Sequence, residues 1–147
     1  MAYSTVQDII AASSERDVIQ LSDDSRVNSI DEGVVAEAIS KADALIDSYC
    51  SGRYVVPISP VPRIIGDISA QLAYHFLYER RHRQNMPDSM IKIYDRLVVQ
   101  LKQISEGVTS LPAAMIGTGS VSGTGPAYCN KTKADRLFPW KGTLDKW

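Results

Sequence analysis

Three stretches of the chain repeat apolar residues at the spacing of one helix face. In the first, Val34, Val35, Ala38, Ile39, Ala42, Leu45, Ile46 and Tyr49 recur every three or four positions. Asp31 suits its N-cap, Glu32 favours the positive end of the helix dipole, and Gly33 is tolerable in the first turn. Gly52 stands where a left-handed C-cap would stop the helix. The second stretch begins at Pro62, whose missing N–H costs nothing at the first helical position. It runs through "RIIGDISAQLAYHFLYERRHR", with Ile64, Ile65, Ile68, Leu72 and Phe76 in its stripe. Ala73 and Leu77 widen that face, which predicts the central helix of the domain. The third starts at Pro87 or Asp88, carries Ile91, Tyr94, Leu97, Val98, Leu101 and Ile104, and ends at Gly107.

Two shorter helices precede these. Ser4-x-x-Gln7 has the form of a capping box and predicts a helix over Thr5 to Ala12. Ser14-x-x-Asp17 precedes one or two further turns with Val18, Ile19 and Leu21 facing inward. "SDDSRVNS" reads as a loop. The fold class expected is all-α: a small bundle of three long helices plus short N-terminal helices, with a long extended C-terminal arm.

The pattern breaks after "SLP". Gly117, Gly119, Gly123 and Gly125 alternate with Ser and Thr, a composition that resists helix and behaves as a linker. Beyond it large side chains return: Tyr128, Leu137, Phe138, Trp140, Leu144 and Trp147, including both tryptophans of the chain. No helical or alternating period organises them. Aromatic anchors at the end of a linker are the form of a segment that docks on something else, the alternative being a tail folded over its own bundle. The expected organisation is a helical domain over 1–111, a linker over 112–127 and a docking arm over 128–147.

Composition narrows the choice of function. The chain has 147 residues, one domain's worth, and 44% hydrophobic residues, enough for a packed core. Sixteen basic residues against seventeen acidic argue against a broad nucleic-acid-gripping face. No apolar run is long enough to span a membrane, and no secretion leader is visible at the start. Cys50 and Cys129 make neither a metal spacing nor a disulfide framework. Free thiols in a reducing compartment fit them better than a single bridge.

Candidate chemistry is thin. His75 and His82 lie seven apart on one helix with no carboxylate completing a metal spacing, so His75 reads as a packed or surface histidine. Arg80, Arg81 and Arg83 gather at a helix end, where they complement the dipole; the functional alternative is a basic patch on phosphate or an acidic partner. Asp43 and Asp47, four apart, and the neighbours Asp23 and Asp24 read as solvated carboxylates, since paired acids matter only inside a cleft. The glycine run lacks the ending and the strand–loop–helix setting of a phosphate loop. No catalytic, metal or cofactor-binding residues are assigned, and the expectation is of a protein that is not an enzyme.

The segments "YSTVQDII…ERDVIQLSDD", "IDEGVVAEAISKADALIDSYCSGRYVVPISPVPRIIGDIS" and "EGVTSLP" resemble the Mu-like phage proteins that belong with the head–tail adaptors, or connectors, of tailed phages. The most specific part is the run Ala42, Ile46, Asp47, Tyr49, Arg53, Tyr54, Pro57, Pro62 and Asp67; "RLFPWKGTLDKW" is a looser match to the family's arm, in which an Arg and an aromatic precede a Leu. Family members usually carry Leu where this chain has Cys50, a change that touches packing. The resemblance implies a virion protein, assembled in the host cytoplasm and placed in the neck. There a ring, commonly of twelve copies, sits under the portal and continues the DNA channel. Its implied partners are the portal protein, neighbouring copies, the next neck protein (the stopper) and double-stranded DNA in transit, with no membrane. On this reading the arm residues Tyr128, Arg136, Leu137, Phe138, Trp140, Leu144 and Trp147 contact the portal or other copies. Arg53, Tyr54 and Pro57 form an elbow at a subunit boundary. The alternative reading is a small helical DNA-binding regulator using the "ERRHR" helix.

Overall fold

The structure, a computed structural model, describes residues 2–24, 26–82 and 86–116. Five helices follow in order: α1 (Val6–Ala12), α2 (Glu15–Ser22), α3 (Glu32–Cys50), α4 (Arg63–His82) and α5 (Asp88–Glu106). Among the described residues no strand forms, and the fold is helical, as the periodicity predicts. Of the linker expected over 112–127, residues 112–116 are described; the rest of it and the arm fall outside the described residues.

Helix α4 is the hub: the four other helices all pack on it. Its buried positions are Ile65, Ile68, Ser69, Ala70, Leu72, Ala73, His75 and Leu77. They run round more than one side, which lets one helix serve several neighbours. Across from them α3 buries Val35, Ala38, Ile39, Ala42, Ile46 and Cys50, and α5 buries Leu97, Leu101 and Ile104. Ile64 and Ile91 depart from the expected stripes. They are 40% and 44% exposed, each in the first turn of its helix.

The helix ends show where local rules hold. Asp31 caps α3 by accepting from the Gly33 and Val34 amides, and Ser14 caps α2 by accepting from the Asp17 amide. Gly107 closes α5 in the left-handed conformation (φ 81°) that glycine adopts at least cost. Three expectations need correction. The capping box of α1 is Thr5 with Asp8, not Ser4 with Gln7, because the Ser4 hydroxyl is drawn inward to Ser69. Pro62 lies just before α4, where its carbonyl accepts from the Ile65 and Gly66 amides. Gly52 has no left-handed φ; Ser51 ends α3 in a right-handed conformation, and the chain turns on the Cys50 carbonyl, which accepts from the amides of Arg53 (3.0 Å) and Tyr54 (2.8 Å).

Of the two readings open for His75, packed or surface, the structure shows the packed one. It is buried between α4 and α5, stacked on Tyr94 with ring centroids 4.6 Å apart and edge-on to Phe76. Its Nδ1 has no hydrogen-bond partner. Burial pushes its pKa below the ordinary 6.5, against a weaker opposing pull from Glu79. The unfolded chain therefore takes a proton near pH 6.5 while the folded chain does not, so stability is lost as pH falls from 6.5 toward the depressed folded value. His75→Phe keeps the ring contact and removes the titration. Urea midpoints at pH 7.5 and 5.5 are expected to differ less for this variant than for the parent. An equal difference in both would remove His75 as the cause.

Candidate assembly site

The chain between α3 and α4 is a corner held from three directions. Tyr54 is completely buried, and its hydroxyl accepts from the Leu111 amide at 2.9 Å. An antiparallel bridge pairs Tyr54 with Met115, flanked by Val55 N–H to Ala114 C=O (2.9 Å) and Ile116 N–H to Arg53 C=O (2.8 Å). The segment leaving α5 is thus tied to the corner at its last described residues. The outer face of this short ribbon leaves Val55 52% and Ile116 56% exposed. The Arg53 guanidinium lies over Gly107, so a Cβ there would run into it.

Beyond Tyr54 the backbone bends, with cis peptide bonds at Val56–Pro57 and Ser59–Pro60, where the prolines alone suggest an extended run. Ile58 turns fully inward, and its amide donates to the Tyr3 hydroxyl at 2.9 Å. Of the three elbow residues, then, Tyr54 faces the core, Arg53 is half-buried and Pro57 is exposed. The arm residues Tyr128, Arg136, Leu137, Phe138, Trp140, Leu144 and Trp147 lie outside the described residues, as does Cys129. Cys50 is a buried free thiol pushed up to about 11, first by burial and then by Asp47.

A polar network underlies the corner. Asp43, expected in solvent, is buried. Its carboxyl accepts from the Tyr3 amide at 3.1 Å and the Ser69 hydroxyl at 2.7 Å; Ser69 in turn meets the Ser4 hydroxyl at 2.8 Å. The correction has a simple cause: Asp43 follows Ala42 and precedes Ile46 on the buried side of α3, and local donors offset its desolvation. Tyr3 completes the arrangement by donating its hydroxyl to Asp47, and burial together with that bond pushes it up to about 12. The N-terminal segment, α3, α4 and the elbow are therefore joined through one set of hydrogen bonds. A hollow of about 610 Å³ beside it is lined by Tyr3, Val61, Pro62, Arg63, Gly66 and Asp67 among others, and by neither Arg53 nor Tyr54.

At the opposite end of α4 the basic cluster is put to structural use. Arg80 pairs with Asp24, and Arg81 donates to the Asp23 carbonyl at 3.0 Å. The Asp23 carboxyl accepts from the Val27 (3.1 Å) and Asn28 (2.7 Å) amides, which fixes a loop in which Arg26 and Asn28 hold positive φ. Dipole complementation alone, the expectation for this cluster, omits that clamp. Among the described residues no group of acids, histidines or cysteines is placed to hold a metal.

Comparison with known proteins fits this architecture to a lineage. Over residues 3–124 the chain matches the family described as Bacteriophage Mu, Gp36. The chain belongs to that family. Similar relatives include the Mu-like prophage FluMu protein gp36 of Haemophilus influenzae, 34% identical over 83 residues, or 56% of each chain. Gene product J of Escherichia phage Mu is 27% identical over 110 residues, covering 74% of this chain and 75% of that one. The chain thus aligns with little more than half the length of the Haemophilus relative. The matched residues 3–124 span the described bundle from Tyr3 through the elbow to Ile116. Among the described residues, no helix of this Gp36 member is long and apolar enough to cross a membrane.

Proposed function

We propose that this phage protein is a structural virion component, a head–tail adaptor that assembles as a ring under the portal, continues the DNA channel and presents a surface to the next neck protein. Its role is assembly rather than catalysis. The observation that carries the reading is the junction at the elbow. Two of the residues most specific to the adaptor resemblance bond the root of the C-terminal segment: the Arg53 carbonyl accepts from the Ile116 amide and the Tyr54 hydroxyl from the Leu111 amide. A rigid bundle and a fixed point of departure suit a segment that reaches from one subunit to a partner. The aromatic residues of 128–147 then act as anchors on the portal or on another copy.

Deleting Leu137 to Trp147 tests this. Full-length protein mixed with portal is expected to give rings on the portal by electron microscopy, and the truncated protein is expected to lose at least ten-fold in occupancy. Rings formed equally well without those residues would refute the arm as anchor, and no rings from the full-length chain would refute the adaptor role.

A further inference from the structure

Residues 1–116 hold eleven basic and fifteen acidic residues, a net −4, while 117–147 hold five basic and two acidic, a net +3. Against that acidic background a hollow of the bundle gathers three arginines. It measures about 540 Å³ and is lined by Arg16, Arg26 and Arg81, with Gln20, Asn28 and the single carboxylate of Asp23. The three arginines come from α2, the α2–α3 loop and the last turn of α4, so the fold and not the sequence brings them together. Arg81 is held in place by the Asp23 carbonyl at 3.0 Å, with the Asp24 carboxylate 3.8 Å away. The Asp23 carboxyl is occupied by the Val27 and Asn28 amides, which holds the loop that presents Arg26. Arg16 and Arg26 are exposed, and among the described residues neither has an acidic partner within ion-pair distance.

We infer that this hollow is a phosphate-contact site and that its ligand is the backbone of double-stranded DNA. The assignment rests on the adaptor reading, in which DNA passes every copy of the ring, and it places the α2–α4 edge toward the channel. Guanidinium groups match phosphate oxygens with paired N–H donors, and Gln20 and Asn28 add neutral amide groups beside them. The site is small and its arginines are open to water, so each copy makes a weak contact that lacks base recognition. Such contacts centre a moving duplex without arresting it, which a broad basic face would do. A small phosphate-bearing ligand has the same chemistry, and the test separates the two.

Full-length chain is titrated against a labelled duplex of arbitrary sequence, by fluorescence anisotropy, from 20 to 200 mM salt. Exchanging Arg16 and Arg26 for alanine removes two exposed side chains and leaves the Arg81 clamp intact. The double variant is expected to bind more weakly at 20 mM, with its salt slope reduced by about 2 from the parent value. Arg63→Ala, in the other hollow, is expected to leave the slope unchanged. Absence of duplex binding by the parent at 20 mM, or an unchanged slope in the double variant, would overturn the proposal. Binding of inorganic phosphate, followed by the Arg16 and Arg26 side-chain NMR signals, without retention of duplex would overturn the assignment to DNA. Rings on the portal, scored by electron microscopy for the double variant, separate this outcome from failure of the adaptor role: rings are expected to persist.

Discussion

Tyr54→Ala is expected to destabilise the domain by about 3–5 kcal/mol, the usual cost of deleting a buried aromatic ring. Tyr54 has no exposed surface and is surrounded by the core. Its removal opens a cavity at the corner and also strands the Leu111 amide, which bonds to its hydroxyl. For a domain whose total stability is of the order of 5–15 kcal/mol this is a large fraction, and a fall of roughly 10–20 °C in the thermal midpoint is expected. Tyr54→Phe separates the two causes. It keeps the ring and removes only the acceptor, for about 1–2 kcal/mol. The same variant removes one of the ties between residues 111–116 and the corner, so the Val55 and Ile116 amides, bonded across the ribbon, are expected to exchange with solvent faster. Thermal melts and amide exchange check both. If Tyr54→Ala melts within a few degrees of the parent, the elbow is not the fixed joint described above, and the departure point of the C-terminal segment is not fixed either.

The helices were legible because their signals are local. Apolar spacing within α3, α4 and α5, an aspartate before α3 and a glycine after α5 each act over a few residues, and each appears where the spacing places it. The wide apolar face of α4 marks it as central for the same reason. What could not be read depends on partners distant in sequence. Asp43 carries the same residue type as a solvated helix carboxylate. Only the approach of Tyr3, forty positions away, and of Ser69 turns it into a core acceptor. Ser4-x-x-Gln7 and Thr5-x-x-Asp8 are both plausible capping boxes one residue apart, and the choice between them is made by Ser69, which takes the Ser4 hydroxyl. Likewise Arg16 and Arg26 carry no mark in the sequence; sixty-five positions separate Arg16 from Arg81, which lines the same hollow. The elbow was recognised through a resemblance, but its bond to residues 114–116 is a tertiary fact.

Asp43→Ala is expected to cost about 2–4 kcal/mol, more than a surface carboxylate would, because it leaves buried donors without an acceptor. The two oxygens do different work. Oδ2 receives the Tyr3 amide and Oδ1 receives the Ser69 hydroxyl. Ser69 has a second neighbour in Ser4 and can turn toward it, whereas the Tyr3 amide has no such alternative once Asp43 is gone. The loss therefore falls mainly on the N-terminal segment. Asp43→Asn sharpens the argument, since an amide keeps one acceptor oxygen and has a donor in place of the other. It is expected to retain about half of the lost stability, by keeping one of the two bonds. Urea unfolding gives the totals, and exchange of the Tyr3 amide reports the local effect. Equal stability of the alanine variant and the parent would mean that Asp43 is solvated after all. An asparagine variant as unstable as alanine would mean that the two bonds act together and not separately. The consequence for assembly is specific. Tyr3 also holds the elbow through the Ile58 amide, so loosening the N-terminal segment at Asp43 removes one of the supports of the corner from which the C-terminal segment departs.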